Sequence, residues 1–401
     1  DLNGDGYAEF MIAANGYDNG VVDEGRVEVY FGSPNGWAGG PAYEANQSTS
    51  FLGQSLSGVG DVNGDGFGDI VMGAHFFDNG STNEGAAWLY YGAGAVPEGS
   101  GQFWNGVTTN ARLGDALATA GDVNADGYDD FLIASPETNT VYLGLGSAQG
   151  AQALVRIGVA QSSGRFGSSV ARAGDVNGDG FGDVIVGAKQ AGVYTSDGVW
   201  QEGFAYVYLG NASGVAASPT WSATYKRDDI YVDHFAEFGA SVASAGDVNG
   251  DGFDDVVVGA PSADGLHAKA GRAFVYLGSA TGLSVEPHRT IAGVNCGSAQ
   301  WGYSTASAGD INADGFDDVV VGSFACGAML FLGGSDGLQQ SPSWTTYDPG
   351  VRSGFSISGV GDIDGDGYDD VVIGSPLHGT AGAGGRITLY RGSSAGLVFA
   401  M

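Results

Sequence analysis

Acidic side chains recur in this chain at a spacing suited to holding a hard metal ion. The phrase Asp-x-(Asn/Asp)-x-Asp-Gly-aromatic-x-(Asp/Glu) begins at Asp1, Asp61, Asp122, Asp175, Asp247, Asp310 and Asp362, at intervals of 60, 61, 53, 72, 63 and 52 residues. Positions 1, 3, 5 and 9 supply side-chain oxygen, position 7 a backbone carbonyl, and Gly at 6 the sharp turn. Ca²⁺ takes about six to eight oxygens at roughly 2.3–2.6 Å, so alternate side chains must curl around one point. The predicted ligands are Asp1, Asn3, Asp5, Tyr7 and Glu9 in the first loop and Asp61, Asn63, Asp65, Phe67 and Asp69 in the second. The third takes Asp122, Asn124, Asp126, Tyr128 and Asp130, and the fourth Asp175, Asn177, Asp179, Phe181 and Asp183. Asp247, Asn249, Asp251, Phe253 and Asp255 form the fifth set, and Asp310, Asn312, Asp314, Phe316 and Asp318 the sixth. Asp362, Asp364, Asp366, Tyr368 and Asp370 make the seventh.

Asp, Asn and Gly also favour turns that hold no metal. Seven copies with an acid always at position 9 favour the metal reading, because three or four carboxylates crowded into one turn repel each other unless a cation intervenes. Oxygen ligands without His or Cys point to Ca²⁺ rather than Zn²⁺. The small octahedron of Mg²⁺ suits a flexible acidic loop poorly. The first half copies an EF-hand loop and the second half does not. Position 12, where an EF-hand has a bidentate Glu, is Met72, Ile133, Val186, Val258, Val321 or Ile373. Such residues belong to a buried strand, so the loop closes at position 9 and joins two strands. Up to seven calcium ions are expected, with a structural role. The first site is expected to be the weakest, beside a terminus and with Glu9 for Asp, and the seventh the strongest, because Asp364 adds a charge.

Little else in the sequence suggests chemistry. His75, His234, His267, His288 and His378 are scattered, and no nucleophile–base order, phosphate-binding glycine loop or His metal cluster surrounds them. We therefore expect no catalytic residues and no enzyme. A polysaccharide-degrading enzyme would need paired carboxylates in a cleft away from the acidic loops.

The elements that position these loops repeat with them. The fifth unit starts with the alternating run Glu237–Val242, passes through the loop Asp247–Asp255, and continues as Val256-Val257-Val258-Gly259-Ala260-Pro261. It then reaches Arg272-Ala273-Phe274-Val275-Tyr276-Leu277 and a weaker segment from His288 to Val294. Four short strands separated by turn residues, without helical period, make one unit. Seven such units predict an all-β, seven-bladed β-propeller of four-stranded antiparallel blades, with the acidic loops between first and second strands. One domain then covers residues 1–401. The first unit lacks a strand before Asp1 and the last stops near Met401, so we expect the closing strands to lie outside the sequence.

Phe-Gly at the start of a unit and Gly-Ala-Pro after its second strand, with the acidic loop between, resemble the FG-GAP repeat. Trp301-Gly302, Ser353-Gly354 and Ala188-Lys189 are departures from that pattern. The resemblance covers essentially the whole chain. It implies the propeller of integrin alpha-subunit heads and of many bacterial surface proteins, and carries the same loop positions as calcium ligands.

Composition limits the partners. With 46 acids against 14 Lys and Arg the formal net charge is -32, and 22 of those acids stand at ligand positions. Seven divalent cations would supply +14 and leave about -18, still acidic. Nucleic acid and anionic membrane are therefore poor partners, and no stretch approaches the roughly 20 apolar residues of a membrane span. The 74 glycines accompany a hydrophobic fraction of 43%, so they belong to turns rather than to disorder.

On the face opposite the acidic loops, long connections offer aromatic and charged side chains. They include Tyr194 and Trp200 between 189 and 202, and Arg227, Tyr231 and His234 between 226 and 237. These suit a protein or glycan ligand, and integrin heads use that face by resemblance. His75-Phe76-Phe77-Asp78 is another candidate. Cys296 precedes the first strand of the sixth unit and Cys326 follows its second, so a disulfide between them is expected, which fits export. Extracellular calcium modules work at about 10⁻⁴ to 10⁻³ M, which also favours a secreted or cell-surface location. The function expected is an integrin-head-like adhesion or ligand-binding module. A lectin-like carbohydrate-binding propeller and a structural component of a cell surface or filament are alternatives.

Overall fold

The structure is a computed structural model and describes residues 1–33, 37–93, 101–158, 164–195, 198–200, 202–225, 235–263, 269–293, 299–348, 350–378 and 384–400. Among the described residues, seven antiparallel blade sheets follow one another along the chain, each ordered as its strands occur in sequence, beside two two-stranded ribbons. In the second, Ser55–Gly60, Asp69–Ala74, Ala86–Tyr90 and Gln102–Asn105 pair successively. The first sheet has three strands, Phe10–Ala14, Arg26–Phe31 and Ala38–Glu44, and the other six have four. The fold is an all-β seven-bladed propeller, with a single 3₁₀ turn, Pro136–Thr138, among the described residues. No helix in those residues is long and apolar enough to cross a membrane.

The chain divides into two compact units. One comprises Asp1–Arg172, Phe181–Val184 and Tyr208–Pro219, and holds the first three blades. The other comprises Ala173–Gly180, Ile185–Val207 and Thr220–Met401, and holds the last three. Residues of the fourth blade are shared between them.

The second strand of a blade is an unbroken apolar run because both of its faces are covered. Asp69–Ala74, Asp130–Ser135, Asp255–Ala260 and Asp318–Ser323 are buried at every position. Successive side chains point to opposite faces. Ile70 and Met72 therefore join Val27, Val29 and Leu52 of the first and second blades, while Val71 joins Leu113, Phe131 and Ile133. In the other unit Val319 and Val321 pack with Val257 and Val275, and Val320 packs with Val371 and Ile373. Each such side chain contributes about 1.5–3 kcal/mol by leaving water.

The Phe-Gly landmark locks one blade to the next. Phe238 is fully buried and its N–H donates to the carbonyl of Glu202 at 2.8 Å, where Gly203 forms a parallel bridge with it. Leu52, Leu113 and Trp301 make the same bridge to Gly25, Gly85 and Gly271. This explains why Trp and Leu substitute for Phe in the landmark: the site asks for apolar bulk and a backbone N–H.

Candidate cation sites in the acidic loops

A β-bulge aims the chain into five of the acidic loops. The register shifts at Gly58/Gly60, Thr119/Gly121, Ser244/Gly246, Ser307/Gly309 and Gly359/Gly361, which brings the last glycine of the first strand opposite the position-9 Asp. Those glycines have φ between 67° and 73°, a region other residues seldom occupy. Bulges commonly re-aim side chains beside functional sites.

The loop then winds around its first carboxylate. In the second loop Asp61 Oδ1 accepts the N–H groups of Gly64 and Asp65 at 2.7 and 3.1 Å, and Oδ2 that of Gly66 at 2.8 Å. Asn63 Oδ1 accepts the N–H of Asp65 at 2.9 Å, and Asp65 Oδ1 that of Phe67 at 3.0 Å. The same pattern recurs in the fifth loop around Asp247. Positions 1, 3 and 5 thus each accept backbone N–H groups of their own turn.

From the second loop to the seventh, the ninth residue differs from the others in being buried. Asp69 Oδ2 accepts the N–H of Val62 at 2.9 Å and Oδ1 that of Gly92, beyond the third strand, at 2.8 Å. Asp130, Asp255, Asp318 and Asp370 make the equivalent pairs with Val123 and Gly146, Val248 and Gly278, Ile311 and Gly333, and Ile363 and Gly392. Position 9 therefore ties the loop to the third strand, a second role that its place in the motif did not announce. Burial pushes Asp69, Asp130, Asp255 and Asp318 up to about 7 and Asp370 up to about 6, against the opposing pull of those N–H groups. A divalent cation would remove the penalty by favouring the ionised form.

The first and seventh loops fit such an ion; among the described residues the other five loops do not bring three carboxylate oxygens so close together. In the first loop Asp1, Asp5 and Glu9 each bring a carboxylate oxygen within 4.8 Å of the other two, as do Asp362, Asp364 and Asp370 in the seventh. Glu9 Oε1 and Asp364 Oδ1 are buried without a hydrogen-bond partner, a costly state for a carboxylate oxygen. Arg391 lies 2.7 Å from Asp364 Oδ2 and so offsets the extra charge that was expected to make the seventh site strongest.

The expected ligand loops are less sharply defined. Tyr194 and Trp200 fall in a two-stranded ribbon, Val193–Thr195 with Gly198–Trp200, rather than in irregular loop. The signal for that ribbon is the pair of β-former runs, Val193-Tyr194-Thr195 and Val199-Trp200, with only a short polar break between them. Arg227, Tyr231 and His234 lie outside the described residues. His75 is packed rather than presented: its ring lies 4.0 Å from that of Phe76, and the Arg112 guanidinium lies over Phe76 at 4.7 Å. Cys326 is disulfide-bonded in a chain with two cysteines, and Cys296 lies outside the described residues.

Comparison with known proteins gives these features a context. The FG-GAP repeat profile matches residues 52–90, 166–208, 238–276 and 353–390, and the FG-GAP-like repeat profile matches 122–186, together about half of the chain. Integrin alpha-5 of Xenopus laevis is 31% identical over 230 residues, covering 56% of this chain and 21% of the integrin. Integrin alpha-V of Gallus gallus is 33% identical over 228 residues, covering 54% of this chain and 20% of the integrin. The matched region thus spans about a fifth of the length of these relatives. A solved protein from Lactobacillus plantarum superimposes with a TM-score of 0.54 at 12% identity, over 98% of this chain and 95% of that one, which bears on the fold alone. On these repeats, and on blades locked through their Phe-Gly residues, the chain belongs to the FG-GAP repeat family and forms an integrin-like β-propeller.

Proposed function

We propose that this propeller is stabilised by calcium in its acidic loops and serves an extracellular protein as an adhesion or ligand-binding module. The observation that carries the calcium reading is the convergence of three carboxylates in the first and seventh loops, each with a buried oxygen lacking a donor. An ion there holds the turn between first and second strands and carries no chemistry. The likeness to integrin alpha chains supports the adhesion reading, with a protein or glycan partner engaging the loops remote from the acidic turns. An extracellular setting accords with millimolar calcium and with a disulfide-bonded Cys326.

Calcium titration followed by calorimetry and native mass spectrometry tests the first part, with up to seven ions bound. A chain that binds no calcium at millimolar concentration overturns it. The second part is tested by a glycan array beside a cell-surface protein pull-down. Selective capture in one of them identifies the partner class, and silence in both favours a structural component of a surface or filament.

A further inference from the structure

We propose that four of the loops, those opening at Asp61, Asp175, Asp247 and Asp310, are each positioned by the loop that follows, through the acidic residue at the eighth place of its motif, so that those neighbouring sites are coupled. This rests on the loops being cation sites. The eighth residue points away from its own loop and is not a ligand in it. Asp129 Oδ2 accepts the N–H of Asp61 at 2.9 Å. Asp254, Asp317 and Asp369 accept those of Asp175, Asp247 and Asp310, each at 2.8 Å. The backbone answers in return: the N–H groups of Asp129, Asp254, Asp317 and Asp369 donate to the carbonyls of the same four residues at 3.1, 3.1, 3.2 and 3.3 Å.

One residue therefore holds both backbone polar groups of the residue that opens the preceding loop. That opening residue is the hub whose carboxylate gathers three N–H groups of its own turn, as at Asp61. A carboxylate on an N–H is a charge-assisted bond, stronger than its neutral counterpart. Since Asp129 adjoins Asp130, an ion that fixes the third loop also fixes the clamp on the second.

Two further observations support the coupling. A Cβ on Gly60, Gly174, Gly246 or Gly309 would fall on the carboxylate of Asp129, Asp254, Asp317 or Asp369, so these glycines leave room for the clamp. Where the eighth residue is glycine, Gly68 and Gly182 make the backbone bond alone, to Asp1 and Asp122 at 2.7 and 3.0 Å. The space beside Gly121 is there taken by the Arg172 side chain at 3.3 Å.

Hydrogen exchange of the whole chain across a calcium titration, reading residues 61–69 and 122–130 separately, tests the coupling. In Asp129→Ala, protection of 61–69 should require about tenfold more calcium, the equivalent of one charge-assisted bond, and linkage lets 122–130 shift by no more than that factor. Asp129→Asn keeps an acceptor oxygen and should recover most of the loss. An unchanged 61–69 titration in Asp129→Ala, or equal weakening of both segments that Asp129→Asn does not rescue, overturns the coupling. If the parent protein takes up no calcium, the cation reading fails instead. Exchange at 61–69 in chelator then still decides the clamp, faster in Asp129→Ala if it exists and unaltered if it does not.

Discussion

At the scale of single residues, the position-9 aspartates carry the tension of the molecule. Burial holds Asp69, Asp130, Asp255 and Asp318 near 7, whereas an unfolded Asp titrates near 3.9. Without cation, the folded chain therefore binds more protons than the unfolded one between about pH 4 and 7. Its stability is greatest below that window and falls as pH rises through it. The cation-free protein should melt higher at pH 5.5 than at pH 8. Added calcium should reverse the order, since the ion competes with protons for the same oxygens. Thermal melts at both pH values, in chelator and in calcium, check this, and identical melts in chelator would refute it.

At the scale of elements, a glycine in the fifth loop and the glycine that ends the strand before it separate backbone strain from packing. Gly252 has φ 87° and open space, with no atom within 4 Å, where a Cβ would stand, whereas Gly246 has φ 72° and faces the Asp317 carboxylate. Gly252→Ala should cost about 1 kcal/mol, the penalty of a left-handed non-glycine residue. Gly246→Ala should cost at least twice that, because the neighbouring acid must also move. Urea denaturation in saturating calcium ranks the two variants. In the strand that follows a loop, Ile133 is fully buried, and Ile133→Ala should lose about 2–5 kcal/mol by leaving a cavity between blades. The same measurement, with the loop intact, reports that loss.

For the whole molecule, charge is the dominant consideration. A formal net charge of -32 in a folded chain is self-repelling, and cations bound to the native state stabilise it by mass action. Chelation should therefore lower the melting temperature by about 10 °C or more, with calcium restoring it and magnesium restoring less. Differential scanning calorimetry across the two ions decides the matter.

Much of this was legible beforehand, and for a physical reason. Turn chemistry, strand alternation and the motif period act over a few residues, so the loops from Asp61 to Asp69 and from Asp247 to Asp255 and the buried runs after them follow from sequence. The four-strand unit follows too, down to the weak last strand, expected from His288 to Val294 and found at Arg289–Ala292. The bonds from Asp129 to Asp61, Asp254 to Asp175 and Asp317 to Asp247 join residues 68, 79 and 70 apart. Nothing local distinguishes those acids from the glycines at Gly68 and Gly182. Likewise the reach of Asp69 to Gly92 exists because the third strand is folded back alongside the second. Sequence alone determined which oxygens form a loop. Packing of blade on blade decided which loop each acid serves, because only that packing brings residues so distant in the chain within a hydrogen bond.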